Sequence, residues 1–309
     1  MNENMRNAVL GVITGDALGC PVQFESREEI ARHPVTGMRG YGTFNLPEGS
    51  WTDDSSLTIA ALESIRRLGK VDANDIMNNF CGWLYEGKFT PFGYSYDIGR
   101  GTRLSIDRYS HDRDPYTCGG TGERDNGNGS LMRIIPVCVF AAESGMSEEE
   151  MIRTVDEAGG LTHNHSCAKT ACGLYAFLVK ALMEEDGSLN ERLEKGMENG
   201  FAWYDSHPND SLYRYGRLRN LDSFRSLPAT KISGSGYVVD SLEAAVWCLL
   251  NGNTFEETVL KAVNLGEDTD SVAAIAGGLA GLYYTADAIP REWYKALQSR
   301  NVFEPLLEK

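Results

Sequence analysis

Four aspartates in two short clusters are the residues best equipped to do chemistry in this chain. Ser50-Trp51-Thr52-Asp53-Asp54-Ser55-Ser56 sets a threonine and two adjacent carboxylates directly before an apolar-periodic run, Leu57 to Ile65. Gly266-Glu267-Asp268-Thr269-Asp270-Ser271 repeats the arrangement before a second apolar run, Val272 to Tyr284. Taken singly, each is a helix start, because Thr, Ser and Asp are preferred N-caps and free N–H groups favour carboxylates there. As a pair they allow more. Carboxylates in contact stay ionised only when a cation compensates them. An all-oxygen set completed by the Thr52 and Ser271 hydroxyls suits Mg²⁺, Mn²⁺ or Ca²⁺ better than zinc. Neither pair lies along one helix face, but both spacings suit helix N-termini, where side chains fan toward one point.

Three further features could serve such a centre. Asp16 stands amid Val9, Leu10, Val12, Ile13 and Leu18; buried there, it needs a partner, and it either caps a neighbouring helix or supports a metal ligand from behind. Two glycine-bearing loops, Asn126–Ser130 and Ser233–Gly236, each precede a helix, where backbone N–H groups can cradle phosphate. They match neither a P-loop nor a dinucleotide fingerprint, and by composition each is also an ordinary turn. In Thr162-His163-Asn164-His165 the expectation is one histidine facing a pocket and the other packed or capping.

The elements that must position these residues read as helices. Apolar residues recur mostly three and four apart and strict alternation is rare, so the expected fold is all-α: one compact domain of a dozen or so helices across residues 1–309, with a peripheral variable segment at about 184–232. Met5–Leu18, a run after Asp72, Ser166–Met183 and Val238–Leu250 are periodic, and Ser147-Glu148-Glu149-Glu150 is a capping box. Pro91–Tyr116 reads as aromatic and loop-rich. Cys20–Gly49, punctuated by Gly and Pro, with a short helix around Arg27 to His33 and placed just before the first acidic cluster, reads as a candidate mobile lid. The 309 residues carry a net charge of −15, which opposes generic binding to nucleic acid or an anionic membrane yet admits a small anion beside a cation. No run of eighteen uncharged apolar residues occurs, no signal peptide is evident, and seven scattered cysteines fit reduced thiols in a cytoplasm.

Gly15-Asp16-Ala17-Leu18-Gly19, Trp51–Ser56, Asp97-Ile98-Gly99, Gly127-Asn128-Gly129-Ser130-Leu131-Met132-Arg133, Thr162-His163, Gly234-Ser235-Gly236-Tyr237-Val238 and Gly266–Ser271 occur together and in order. In this the chain resembles the ADP-ribosylglycohydrolase family, which takes in dinitrogenase reductase-activating glycohydrolase and the ADP-ribosylarginine and ADP-ribosylserine hydrolases. The resemblance spans residues 5 to 285. It implies an orthogonally packed all-α domain with two Mg²⁺ or Mn²⁺ ions held by Thr52, Asp53, Asp54, Asp268, Asp270 and Ser271. It further implies that Asp97 and Gly99 contact the distal ribose, that Gly127, Asn128, Gly129, Ser130 and Leu131 hold phosphate and ribose with His163 nearby, and that Ser235, Gly236 and Tyr237 meet the pyrophosphate and adenosine. The expected reaction is hydrolysis of the glycosidic bond between ADP-ribose and a modified protein or small molecule, releasing ADP-ribose, with Asp53, Asp54, Asp97 and Asp268 in the chemistry. The acceptor stays open among arginine, serine, a nucleobase or a small molecule.

One position departs from the family. Four residues after the last glycine of Gly-Asp-Ala-Leu-Gly, where members commonly carry glutamate on the lid, this chain has Gln23. Glutamine is no base, so either Glu25 substitutes through a shifted loop, an activated water and an aspartate suffice, or activity falls. A non-catalytic ADP-ribose-binding or crystallin-like relative is the alternative that Gln23 favours and the full set of metal-ligand types opposes.

Overall fold

Several helices of this chain begin where its sequence supplies the groups that helix ends lack. The computed structural model describes residues 3–184, 186–207 and 209–308. Its α-helices are α1 (Glu3–Gly19), α2 (Arg27–Arg32), α3 (Asp53–Leu68), α4 (Ala73–Glu86), α5 (Arg100–Asp112), α6 (Ile135–Glu143), α7 (Glu148–Gly160), α8 (Ser166–Met183), α9 (Leu189–Ser206), α10 (Leu221–Arg225), α11 (Val238–Asn251), α12 (Phe255–Val263), α13 (Thr269–Tyr284), α14 (Arg291–Ala296) and α15 (Glu304–Leu307). Among the described residues, bridges between extended segments are three isolated pairs, and no helix is long and apolar enough to cross a membrane. Two caps are the expected ones, Asp72 accepting from the Asp75 N–H and Ser147 forming a capping box with Glu150, and at α12 Thr254 accepts from the Glu257 N–H. Within the expected variable segment, Glu185 and Pro208 lie outside the described residues; the rest carries α9, a 3₁₀ stretch Leu212–Arg219 and α10.

The core is organised around α1 and α13, which run antiparallel in backbone contact. Gly11, Gly15 and Gly19, four apart, lie on one face of α1. A Cβ on Gly11 would sit 2.0 Å from the Gly277 carbonyl oxygen, one on Gly15 2.0 Å from that of Ala273, and one on Gly19 2.4 Å from Asp270 Cα. Only hydrogen fits at these points. Nearly every residue of both helices is buried, with α3, α6, α8, α11 and α12 packed round them. The pairing joins the C-terminus of α1 to the N-terminus of α13, and so brings Asp16 beside Asp270.

Two expectations are corrected. Pro91–Tyr116 is not all loop, for α5 fills its second half. The helix starts at Gly99 with no side-chain cap and carries Gly101 in its first turn, while its buried stripe is Thr102, Ser105, Ile106 and Tyr109, helical in spacing but half polar in type. The Cys20–Gly49 segment is a tethered strap rather than a loose lid. Arg27 donates to the carbonyls of Leu265 (2.8 Å), Ala229 (2.6 Å) and Ile232 (2.5 Å). The Phe24 N–H donates to Glu267 O and the Glu267 N–H to Glu25 O, each at 2.7 Å.

Candidate active site

The acidic clusters meet where α1, α3 and α13 converge, in two layers. Asp16 forms the base of the deep layer. Its carboxylate accepts from the Thr52 N–H (2.9 Å), the Ser55 N–H (3.0 Å), Thr52 Oγ1 (2.9 Å) and Ser55 Oγ (2.5 Å). It therefore caps α3 in place of Thr52, whose side chain makes no cap bond. Four donors occupy both Asp16 oxygens, so this residue positions others although its carboxylate lies within 4.8 Å of those of Asp54 and Asp270. Burial pushes its pKa up to about 6 against the pull of those donors.

Freed from capping, Thr52 Oγ1 turns inward, 2.9 Å from Asp16 Oδ1, 3.3 Å from Asp54 Oδ2 and 3.4 Å from Asp270 Oδ2. One hydroxyl hydrogen cannot serve three carboxylates. Ser271 Oγ lies 3.3 Å from Asp54 Oδ2, and Asp54 Oδ1 is buried without any hydrogen-bond partner. Burial first, then mutual repulsion, raises the pKa values of Asp53, Asp54 and Asp270 well above the ordinary carboxylate range. None of the ion pairs among the described residues reaches this cluster. Oxygen contacts outnumber the available protons and no cationic side chain compensates them, so the donor set fits a hard divalent cation.

The upper layer opens into a cleft of about 240 Å³ whose acidic end is lined by Gln23, Asp53, Asp97, Asp268 and Ser271. Asp97 sits on left-handed backbone (φ 51°), which Asp tolerates better than most residues. The neighbouring Tyr96 hydroxyl fixes the segment by donating to the Trp51 carbonyl at the start of α3. Burial raises the Asp97 pKa, while hydrogen bonds with Asp270 and Gln23 oppose the rise. Asp268 accepts from Asn128 Nδ2 (2.7 Å) and Gln23 Nε2 (3.4 Å). Gln23 thus turns its amide N–H groups to two carboxylates and leaves its Oε1 buried without a partner.

The far end of the cleft is built from glycine loops paired across the chain. Asn128 N–H donates to Gly236 O and Val238 N–H to Asn126 O, each at 3.0 Å, so the two loops singled out in the sequence brace one another. Gly99, Gly127, Asn128 and Gly129 line the cleft beside Met132 and His163. Cβ atoms on Gly101 and Gly129 would lie 3.2 Å from His163 Nε2 and 2.7 Å from His163 Cε1, so glycine lets both loops close on the imidazole. Burial lowers the His163 pKa to about 4, helped by the charge of Arg133. Arg133, itself buried, donates to Thr162 Oγ1 at 2.8 Å, and Thr162 Oγ1 lies 2.9 Å from His163 Nδ1. With Arg133 donating, the Thr162 hydrogen is free to go to Nδ1. The network assigns the neutral Nε2–H tautomer, which places a donor toward Gly101 and Gly127.

Several expected site residues do not line this cleft. Glu25 is held by its backbone to Glu267 and leaves the position to Gln23 and the exposed Phe24, so the shifted-loop substitution is not what the structure shows. The Ser130 hydroxyl meets the Cys172 thiol (3.6 Å) and Leu131 packs in the core. Ser235 donates to Asp240 (2.7 Å), Gly236 lies over Asp268, and the Tyr237 hydroxyl accepts from Arg214 (3.0 Å). His165 caps α8. Sequence reasoning gave no role to Arg133 and left Asp16 divided between two; in Asp16 the signal was a carboxylate amid apolar neighbours, and in Arg133 a cation entering the apolar run after the loop.

The family model for ADP-ribosylglycohydrolase matches residues 1–309. The ADP-ribosylarginine hydrolase Tri1 of Pseudomonas putida (strain GB-1) is 31% identical over 297 residues, covering 94% of this chain and 73% of that protein. The ADP-ribosyl-[dinitrogen reductase] glycohydrolase of Rhodospirillum rubrum is 28% identical over 302 residues, with 97% and 92% covered. A solved structure described as an ADP-ribosylglycohydrolase-related protein complex superimposes with a TM-score of 0.80 at 31% identity, covering 99% of this chain and 95% of that one.

Proposed function

The chain belongs to the ADP-ribosylglycohydrolase family of hydrolases, and on that premise we propose that it uses divalent cations to cleave the glycosidic bond between ADP-ribose and a modified acceptor. The carrying observation is the proton-deficient oxygen cluster of Thr52, Asp54, Asp270 and Ser271 beneath a cleft lined by Asp53, Asp97 and Asp268. Membership of a hydrolase family weighs against the non-catalytic alternative, to which Gln23 still lends its one observation.

In this reading Thr52, Asp53, Asp54, Asp268, Asp270 and Ser271 would hold two Mg²⁺ or Mn²⁺ ions, and Asp16 keeps Thr52 in place. Bound there, such ions would supply positive charge beside the ribose hydroxyls and would make a water more acidic. Asp97, which lines the cleft, takes a proton from the attacking water as its oxygen bonds to C1″ and returns that proton to the departing acceptor. As the C1″–acceptor bond breaks, the carboxylates of Asp53 and Asp268 face the positive charge developing on the sugar. His163 Nε2–H and the backbone N–H groups of Gly127 and Gly129 donate to ribose and phosphate oxygens. ADP-ribosyl-arginine and ADP-ribosyl-serine are the acceptor types considered, and the arginine type is the one named in the Pseudomonas putida relative.

The test is release of free ADP-ribose from ADP-ribosyl-arginine and ADP-ribosyl-serine peptides, with and without Mg²⁺ or Mn²⁺. Metal-dependent release, abolished in Asp268→Asn along with most of the metal affinity by calorimetry, is the expected result. Full turnover in chelator-dialysed Asp268→Asn sinks the scheme. Thermal stabilisation by ADP-ribose without release from either peptide supports the non-catalytic alternative.

A further inference from the structure

A second concavity, of about 530 Å³, lies at the other end of the central helix pair. It is bounded by Arg6 and Leu10 from α1, by Ala286, Asp287 and Ile289 after α13, by Arg291, Tyr294 and Lys295 from α14, and by Arg300. Arg6 is ten residues from Asp16 on α1, about 15 Å at the rise of an α-helix, so this hollow is separate from the acidic cleft.

Its charge runs against that of the molecule. The chain has 29 Lys and Arg against 44 Asp and Glu, whereas the hollow is lined by four cations and one carboxylate, Asp287. Arg6, Arg291 and Lys295 form no ion pair among the described residues; Arg300 lies 3.7 Å from Glu304. Those cations come from three separate segments, and Arg291 and Lys295, four apart, share one face of α14. Arg300 is ordered by its stack on the Tyr294 ring (5.3 Å), and the Tyr294 hydroxyl is held by Glu304 (2.6 Å). Like charges gathered in this way repel, and an anion among them relieves the repulsion. At physiological ionic strength fields fade within about 8 Å, so the remaining acidic surface does not cancel this local potential.

We propose that this hollow is a binding site for a phosphate-bearing small molecule. Three guanidinium forks and an ammonium suit phosphate oxygens. The volume is that of a small-ligand site rather than a groove for an extended chain. Leu10, Ala286, Ile289 and the edge of Tyr294 offer an apolar floor for a base or sugar. The site is independent of the activity proposed above.

Isothermal calorimetry and thermal unfolding of the full chain in chelator, with inorganic pyrophosphate and with ADP, test it. The expected result is saturable pyrophosphate binding that weakens as salt rises and raises the melting midpoint by about 2–5 °C near saturation. Charge reversal in Arg291→Glu/Lys295→Glu weakens it at least tenfold, and the milder Arg291→Gln/Lys295→Gln weakens it less. Both residues are exposed, and the unliganded midpoint of each variant verifies folding. Asp268→Asn binds pyrophosphate as the parent does. Tighter binding of ADP than of pyrophosphate assigns the floor to a base; equal binding confines recognition to the phosphates. No binding at 10 mM, undiminished binding in the charge-reversed variant, or loss in Asp268→Asn overturns the proposal.

Discussion

At Asp54 one carboxylate oxygen is buried with no partner, while the other shares Thr52 and Ser271 hydroxyls with neighbouring groups. Such an arrangement is costly in the absence of a cation and favourable around one. Replacing Asp54 by Asn removes a charge but keeps the shape. The metal-free protein should then melt about 2–5 °C higher than the parent, while the further rise that Mn²⁺ gives the parent disappears. A lower metal-free midpoint in Asp54→Asn contradicts the repulsion described here. His163 offers a second residue-level check. Its folded pKa, about 4, is below the ordinary imidazole value, so between about 6.5 and 4 the unfolded chain binds the extra proton. Its contribution to stability is complete above about pH 6.5 and is lost as pH falls toward 4. The His163 ring signals in NMR should stay flat from pH 8 to 5; a midpoint near 6.5 contradicts the buried, neutral ring.

Helix α1 carries both a glycine face and Asp16, and the glycines decide where the aspartate sits. An alanine at Gly15 puts its Cβ 2.0 Å from the Ala273 carbonyl oxygen, where backbone must move on both helices. Gly15→Ala should cost about 3 kcal/mol or more, lowering the melting midpoint by about 6 °C or more. It should also weaken Mn²⁺ binding, because Asp16 and Asp270 then separate. Gly216, where nothing lies within 4 Å of an added carbon, is the control and should accept alanine with little change. Equal midpoints for the two variants would falsify the close-packing account. The strap between α1 and α3 shows the same coupling of elements: Gly- and Pro-rich sequence suggests looseness, yet Arg27 ties it to three carbonyls contributed by residues 229–265.

Across the whole molecule, the carboxylates come from α1 and α3 near the start of the chain and from α13 near its end, so the site exists only when distant segments pair. Cation binding should therefore report on global folding. Chelation should shift the helical circular-dichroism transition and the tryptophan-fluorescence transition together, by about 5 °C or more relative to saturating Mn²⁺; separate shifts would mean that the site opens alone. The sequence by itself determined the helices with periodic apolar faces and side-chain caps, the two acidic clusters, and the ordered motifs of the family, because periodicity, cap chemistry and motif spacing are local. It hid α5, whose buried stripe is half polar. It also could not decide whether Asp16 caps or ligates, that Gln23 rather than Glu25 reaches the cleft, or that the two glycine loops brace each other around His163. Those outcomes depend on which backbones approach within a few ångströms. That distance is set by the glycine faces of α1 and α13 and by hydrogen bonds spanning as many as 279 residues, which only the tertiary structure decided.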